Sequence, residues 1–431
     1  MSIPAAVPLH QGSDYLNRSA ALSPALILCA VGLFTLSWDR IGNITIGTYN
    51  VKLSAIAFLL AFVAASVGGQ VRHRQRVTSS VIWITTAITL SLLVSSLLAN
   101  EVQIALQQVA VTAIGAFLPF GALIKAARSR QNLVFCLNWF VRGVLIAVFF
   151  GFYQLTASYL RLPQFVDYTG LSGGVGRIAA FSYEPATFGQ IVLTGFAAVL
   201  ARSILVRGSL PRTILFLFAL AAVLANTRAL LLTFPAFLLL ARPWKLSPRS
   251  RTFILLAAVG VSYASLIVIL IAPGVLDFVV SQFASIFNPH EQSSNARRLD
   301  QYAIVSGLLQ GAWLFGIGPG NLFFKVSLLN QSVFDGKASN QVVANNIWLQ
   351  AMADGGVILA LIELTLILLV ISKLFFRAPV ATRTLASAWL SLILISGMVG
   401  SDFFTPARWV LLALACVALS FETDPVPKLM R

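Results

Sequence analysis

The stretch TILFLFALAAVLANTRALLLTFPAFLLLA, Thr213–Ala241, is apolar along its length except at Asn226-Thr227-Arg228. Read as one helix, it crosses a membrane once and carries the basic segment 242–251 away from the basic segment 202–212. Read as two short helices meeting at Asn226-Thr227-Arg228, it returns the chain to the side it left. Short loops rich in Lys and Arg stay on the cytoplasmic side, so the second reading is adopted. Each arm then has about 13 residues, about 20 Å at 1.5 Å per residue, too short to cross a 30 Å hydrocarbon core upright. Arg228 is therefore expected at the tip of a hairpin, below the outer surface. A charge at such depth needs a water-filled cavity or a partner, and is a functional candidate. The plainer alternative is an arginine snorkelling to the outer interface.

The same reading extends to the rest of the chain. Of 431 residues, 58% are hydrophobic and 10% charged, and the mean hydropathy is +0.87. A soluble core cannot hide that much apolar surface, and runs of about 20 apolar residues mean membrane helices. The expected fold is all-α: a polytopic integral membrane protein of about 12 transmembrane helices with one large extracytoplasmic loop carrying amphipathic helices. The organisation expected is helices 1–9 over residues 1–272, the large loop over 273–345, and helices 10–12 over 346–431. Spans are placed near 22–38, 51–67, 77–98, 102–124, 140–159, 182–201, 213–225, 229–241, 252–272, 356–372, 384–400 and 408–421.

The connections alternate in charge. The N-terminal tail, 68–76, 125–142, 202–212, 242–251, 373–383 and the C-terminal tail hold twenty of the thirty Lys and Arg and only Asp14, Glu422 and Asp424 of the acids. Both termini are thus expected in the cytoplasm. The net charge of +16 is explained by this asymmetry and by anionic lipid, which excludes a nucleic-acid partner. The three cysteines, Cys29, Cys136 and Cys416, lie in or beside apolar segments and give neither a disulfide framework nor a metal spacing.

Two connections on the other side carry most of the polar character. In 160–181, Gly170, Gly173, Gly174 and Gly176 precede Arg177. Pro185 suits the first turn of the next helix, and Glu184 falls at its N-terminus, where the dipole favours an ionised carboxylate. Glu184 alone reads as an ordinary N-terminal acid; beside Arg177 it reads as a site residue. In the large loop, Asn295 can cap a helix from about Ala296, with Leu299, Tyr302, Leu309 and Trp313 near one face. Arg297 and Arg298 occupy its first turn, which disfavours cations unless an anion compensates. Gly316 and Pro319 are expected to stop that helix. Glu363 is the only acid well inside a span, either a structural contact or a partner for Arg228.

Taken in order, Arg177 with Phe181-Ser-Tyr-Glu-Pro185, Asn226-Thr-Arg228, Asn295-Ala-Arg-Arg-Leu-Asp-Gln-Tyr302, Trp313-Leu-Phe-Gly-Ile-Gly-Pro-Gly-Asn321 and Asn345-Asn-Ile-Trp-Leu-Gln-Ala-Met-Ala-Asp-Gly-Gly356 resemble the O-antigen ligase/polymerase family of bacterial membrane glycosyltransferases. The resemblance runs over roughly 175–360 and implies an inverting, metal-independent sugar transfer at the outer face of the inner membrane. The implied partners are a polyprenyl-diphosphate-linked oligosaccharide, membrane lipids, and a chain-length regulator and flippase of the same pathway. No cofactor and no metal are expected: there is no His-Glu-x-x-His, Cys-x-x-Cys or Asp-x-Asp, and a metal-bound diphosphate wants clustered carboxylates.

Without a metal, arginine must meet the leaving diphosphate, since guanidinium stays charged and offers a planar fork to phosphate oxygens. The expected catalytic residues are Glu184, Arg228 and Arg298, with Arg177, Arg297, Tyr302, Asn345 and Asn346 binding substrate. A general base would take the acceptor hydroxyl proton; Glu184 leads, with Asp300 and His290 as alternatives. Ligases of the resembled family carry a histidine eleven residues ahead of a glycine, and here Asn345 holds that place before Gly356. Asparagine cannot accept a proton at neutral pH, which favours a polysaccharide polymerase over a ligase. A transporter or flippase of lipid-linked sugars is the competing class, and the 226–228 hairpin is the feature it can claim.

Overall fold

Helices dominate, and several begin where the sequence supplies a start signal. The computed structural model describes residues 23–38, 40–41, 44–46, 49–67, 76–163, 165, 171–172, 175–176, 178–182, 184–225, 228–242, 302–322, 344, 346–376, 378–398 and 403–422. Helix α1 (Pro24–Thr35) starts with Ser23, whose hydroxyl accepts from Leu26 N at 3.3 Å. It is followed by a hairpin of β1 (Ile44–Ile46) and β2 (Tyr49–Val51), then α2 (Leu53–Val67) and α3 (Arg76–Leu97). Helices α4 (Val102–Thr112) and α5 (Leu118–Ala126) join through a π turn, Ala113–Phe117, into one apolar rod. Helix α6 (Arg130–Leu160) is capped by Ser129, which accepts from Asn132 N at 3.1 Å, and ends on Arg161 at φ 56°. A second small hairpin, β3 (Leu171–Ser172) with β4 (Val175–Gly176), leads to α7 (Pro185–Val206).

Thr213–Ala241 is two helices, α8 (Arg212–Ala225) and α9 (Arg228–Ala241). They are followed, among the described residues, by helical residues 302–309, here α10, and by α11 (Ile347–Leu369), which a π turn extends to Phe375. Helices α12 (Val380–Leu394) and α13 (Pro406–Glu422) complete the chain.

Among the described residues, five helices are long and apolar enough to cross a membrane, 77–97, 102–126, 130–160, 185–206 and 347–375, and six shorter apolar helices lie at 24–35, 53–67, 212–225, 232–241, 380–394 and 406–421. These eleven fall at eleven of the expected spans; the twelfth, 252–272, lies outside the described residues. The all-α architecture is interrupted only by the two hairpins among the described residues.

Residues 191–201 of α7 and 407–419 of α13 are buried without a break. A helix apolar all round belongs in the middle of a bundle, and these two form the centre. Helices α6, α8 and α12 pack on α7, α12 also packs on α13 and α9, and α11 packs on α3. Large apolar side chains such as Val67, Trp83, Phe149 and Leu368 point outward, as on a bundle whose solvent is hydrocarbon. Glycine sets the tightest crossing: a Cβ on Gly143 of α6 would strike the Phe34 carbonyl of α1, and Ser37 Oγ donates to Gly143 O at 3.2 Å nearby.

The bundle has two unlike ends. At one, Lys125, Arg128, Arg130, Arg202, Arg207, Arg212, Arg242 and Arg383 gather at helix termini, and Arg130 donates to Leu205 O to tie α6 to α7. Lys125 there reaches Ser66 Oγ at 2.8 Å and lies 4.1 Å over the Phe62 ring. The other end, where α7, α9, α11 and α13 begin, holds the candidate site.

Candidate functional site

The site is best assembled from its backbone clamps. Ile178, the residue after Arg177, donates its N–H to Leu224 O at 3.2 Å. Ala180 O accepts from Gln154 Nε2 at 3.0 Å, and Phe181 O accepts from Arg40 N at 2.9 Å. The segment that follows Arg177 is thus pinned to the end of α8, four residues before Arg228. Arg177 itself lies outside the described residues. Arg228 is the first residue of α9, and Asn226 and Thr227 lie outside the described residues.

Glu184 occupies the N-cap of α7 with an extended backbone (φ −135°, ψ 146°), and Pro185 takes the first helical position. The Glu184 side chain is exposed and makes no cap hydrogen bond, so its carboxylate is not committed to holding the helix end. One turn further on, Gly189 makes room for the head of α9: a Cβ there would lie 2.7 Å from Leu230 Cδ2. The head of α7, the end of α8 and the start of α9 therefore meet.

The Gly-rich turn is the second assembly. Helix α10 buries Val305 and Leu309 and ends at 309, so Trp313 stands beyond it, 58% exposed, instead of on its inner face. The chain continues through turns to Gly316, where the expected stop does fall for the turns though not for the helix. Gly316, Gly318 and Gly320 have φ of 74°, 97° and 71°, a region glycine enters freely and other residues rarely. A Cβ on Gly316 would come 2.5 Å from Ala353 O, and one on Gly318 would strike Ala99.

The turn is held against α11 and the α3–α4 connection. Ile317 N donates to Ala353 O at 2.8 Å, and Val357 N donates to Trp313 O at 2.8 Å. Asn321, fully buried, accepts from Glu101 N at 2.9 Å and donates to Glu101 O at 3.3 Å. Gly320 N–H donates to the Asp354 carboxylate, which also accepts from Gln350 Nε2 at 2.9 Å. Ser95 Oγ of α3 donates to Asp354 O at 2.6 Å. The glycines thus serve close backbone approach, and Asp354 is the side chain on which the turn closes. Sequence reasoning passed over Asp354 and Asn321; each stands beside a glycine of the quoted stretches, Gly355 and Gly320, which was the available signal.

Helix α11 breaks at Gly356 (φ 68°, ψ −163°), where a Cβ would meet the Leu314 carbonyl. The break confirms a helix entered through that glycine and leaves 357–375, about 28 Å of rod at 1.5 Å per residue. Asn346 caps the short leading arm: its Oδ1 accepts from Trp348 N at 2.9 Å and Leu349 N at 3.2 Å. Its side-chain oxygen thus holds the helix end. Such a cap satisfies N–H groups the helix cannot satisfy itself. Tyr302 is the first described residue of α10 and half-buried. Asn345, Arg297, Arg298, Asp300 and His290 lie outside the described residues.

The two assemblies share a hub at the α12–α13 turn. Gly397 packs on Ile347 at the head of α11, a Cβ there lying 3.1 Å from Ile347 Cγ2. Its neighbour Ser396 accepts from Gln190 Nε2 of α7 at 2.8 Å. Among the described residues, no group of three or more His, Cys, Asp or Glu stands together as a metal site.

Residues 213–364 match the family model described as O-antigen ligase. Over that stretch the chain is similar to the O-antigen ligase family. The matched stretch opens at the first turn of α8, takes in the start of α9 and the Gly-rich turn, and closes one residue after Glu363 in α11. Glu184, Gln190 and the α12–α13 turn lie outside the matched stretch yet touch or flank it. None of the curated proteins matches the chain.

Proposed function

We propose that this protein polymerises polyprenyl-diphosphate-linked oligosaccharide repeat units at the extracytoplasmic face of the bacterial inner membrane. The observation that carries the reading is the convergence of the head of α7 with Glu184, the segment following Arg177 and the start of α9 at Arg228, in a chain whose residues 213–364 match the O-antigen ligase family model. The opposite end of the bundle, rich in Lys and Arg, is the cytoplasmic one on this reading and holds both termini.

The acceptor hydroxyl oxygen attacks the anomeric carbon of the donor sugar. A glycosidic C–O bond forms, and the bond from that carbon to the diphosphate oxygen breaks. The hydroxyl proton goes to the Glu184 carboxylate, which is exposed and makes no cap bond to its own helix. The lipid diphosphate departs with the electron pair, met by Arg228, Arg177 and the Arg297–Arg298 pair, whose guanidinium forks suit phosphate oxygens. One displacement inverts the anomeric centre. Asn345 stands where ligases of the family carry histidine and cannot take a proton at neutral pH, so repeated polymerisation is favoured over transfer to a lipid core. A flippase and a chain-length regulator are the protein partners this role calls for.

The ligase reading draws on the description of the matched family itself. Purified protein incubated with a polyprenyl-diphosphate oligosaccharide decides between them. A ladder of longer products, persisting in excess chelator, is the expected result. A single addition to a lipid core means a ligase, and movement across a bilayer without new bonds means a transporter.

A further inference from the structure

Among the described residues, one arginine and one carboxylate are fully buried: Arg408 in the first turn of α13, 1% exposed, and Glu363 in α11, 0% exposed. Taking a charge out of water is costly, and packed apolar residues serve stability as well or better. An ionisable group inside a membrane bundle therefore marks function. Arg408 Nη2 donates to Gln190 Oε1 at 3.3 Å, and Gln190 in turn donates to Ser396. Glu363 lies within electrostatic range of Arg408, yet neither of its carboxyl oxygens has a hydrogen-bond partner, so no hydrogen-bonded pair links the two.

The position of Arg408 matters as much as its burial. Gln190 follows Gly189, the residue on which Leu230 of α9 packs, two residues into the helix that Arg228 begins. Ser396 precedes Gly397, on which the head of α11 packs. The guanidinium is thus held by a residue whose chain neighbour packs on α9, and that residue bonds in turn to the neighbour of the glycine that packs on α11. In a dry bundle its field is weakly screened.

We propose that Arg408, held by Gln190, is a buried counter-charge for the anionic head of the lipid-linked donor: a positioning residue that draws the diphosphate to the site without touching it. The inference rests on the donor class proposed above. Arg408 lies outside the family match, and nothing in the 213–364 comparison assigns it a role.

The test is binding of a short-chain polyprenyl diphosphate, carrying no sugar, to the full-length purified protein, with the uncharged polyprenol as control. Arg408→Gln is expected to weaken diphosphate binding tenfold or more. Arg408→Lys, which keeps the charge, stays within threefold of the parent. Gln190→Leu weakens binding threefold or more with the thermal midpoint retained, and none of the three changes polyprenol binding. Folded Arg408→Gln that binds the diphosphate like the parent overturns the proposal. Should Arg408→Gln not fold, parent-like binding by Gln190→Leu overturns it instead. If the parent protein binds no diphosphate, the donor reading itself fails, which is a separate outcome.

Discussion

At the scale of single residues, the account turns on which polar groups are committed to structure and which are left for substrate. Asn321 spends its amide on the backbone of Glu101, and Asn346 caps the head of α11 through Oδ1 alone. Asp354 closes the Gly-rich turn through Gly320 and Gln350. Glu184 has no such commitment, and Arg228 opens a helix at the same end of the bundle. Arg228→Lys is expected to abolish most polymer formation at unchanged expression, because a point charge cannot replace a bidentate fork on phosphate. Product analysis in membranes checks this, and full activity in both Arg228→Lys and Arg228→Ala removes the residue from the site. The sequence already marked Arg228 and Glu184, since one broke an apolar run and the other preceded a proline. Asp354, Asn321 and Arg408 were not legible as partners, because their contacts join segments far apart in the chain. A single sequence does not say which turn lies against which helix.

At the scale of elements, local signals translated well. The charge-based division of 213–241 into two helices matches α8 and α9, and Pro185 takes the first helical position of α7. Where the reading went astray, packing overrode periodicity. The three- and four-residue spacing that linked Leu309 to Trp313 is broken because the helix ends at 309 and the chain turns back toward α11. The glycines read as a stop are required for a different reason, the approach of the 312–318 backbone to Ala353 and Gly356. Gly356→Ala therefore forces a side chain into the left-handed region and onto the Leu314 carbonyl. The expected outcome is a lowered thermal midpoint together with loss of polymer formation. An alanine variant with the parent midpoint and parent activity shows that the break in α11 is not needed.

At the scale of the whole molecule, the bundle is polar in a directional sense. One end collects cations at helix termini and ties α6 to α7 through Arg130. The other gathers the heads of α7, α9, α11 and α13 around the α12–α13 turn, with a buried arginine held by Gln190. Composition foretold a membrane bundle, and the positive-inside rule foretold that its ends would differ. Neither foretold that α7 would be the central helix, which depends on the sum of its packing against α6, α8 and α12. Covalent capture of a photoreactive polyprenyl diphosphate, followed by mapping of the labelled residues, tests the central claim most directly. The account predicts label in 178–184, 228–230 and 346–356. Label confined to 125–130, 202–212 and 378–383 contradicts it, because the diphosphate would then be held at the opposite end of the bundle.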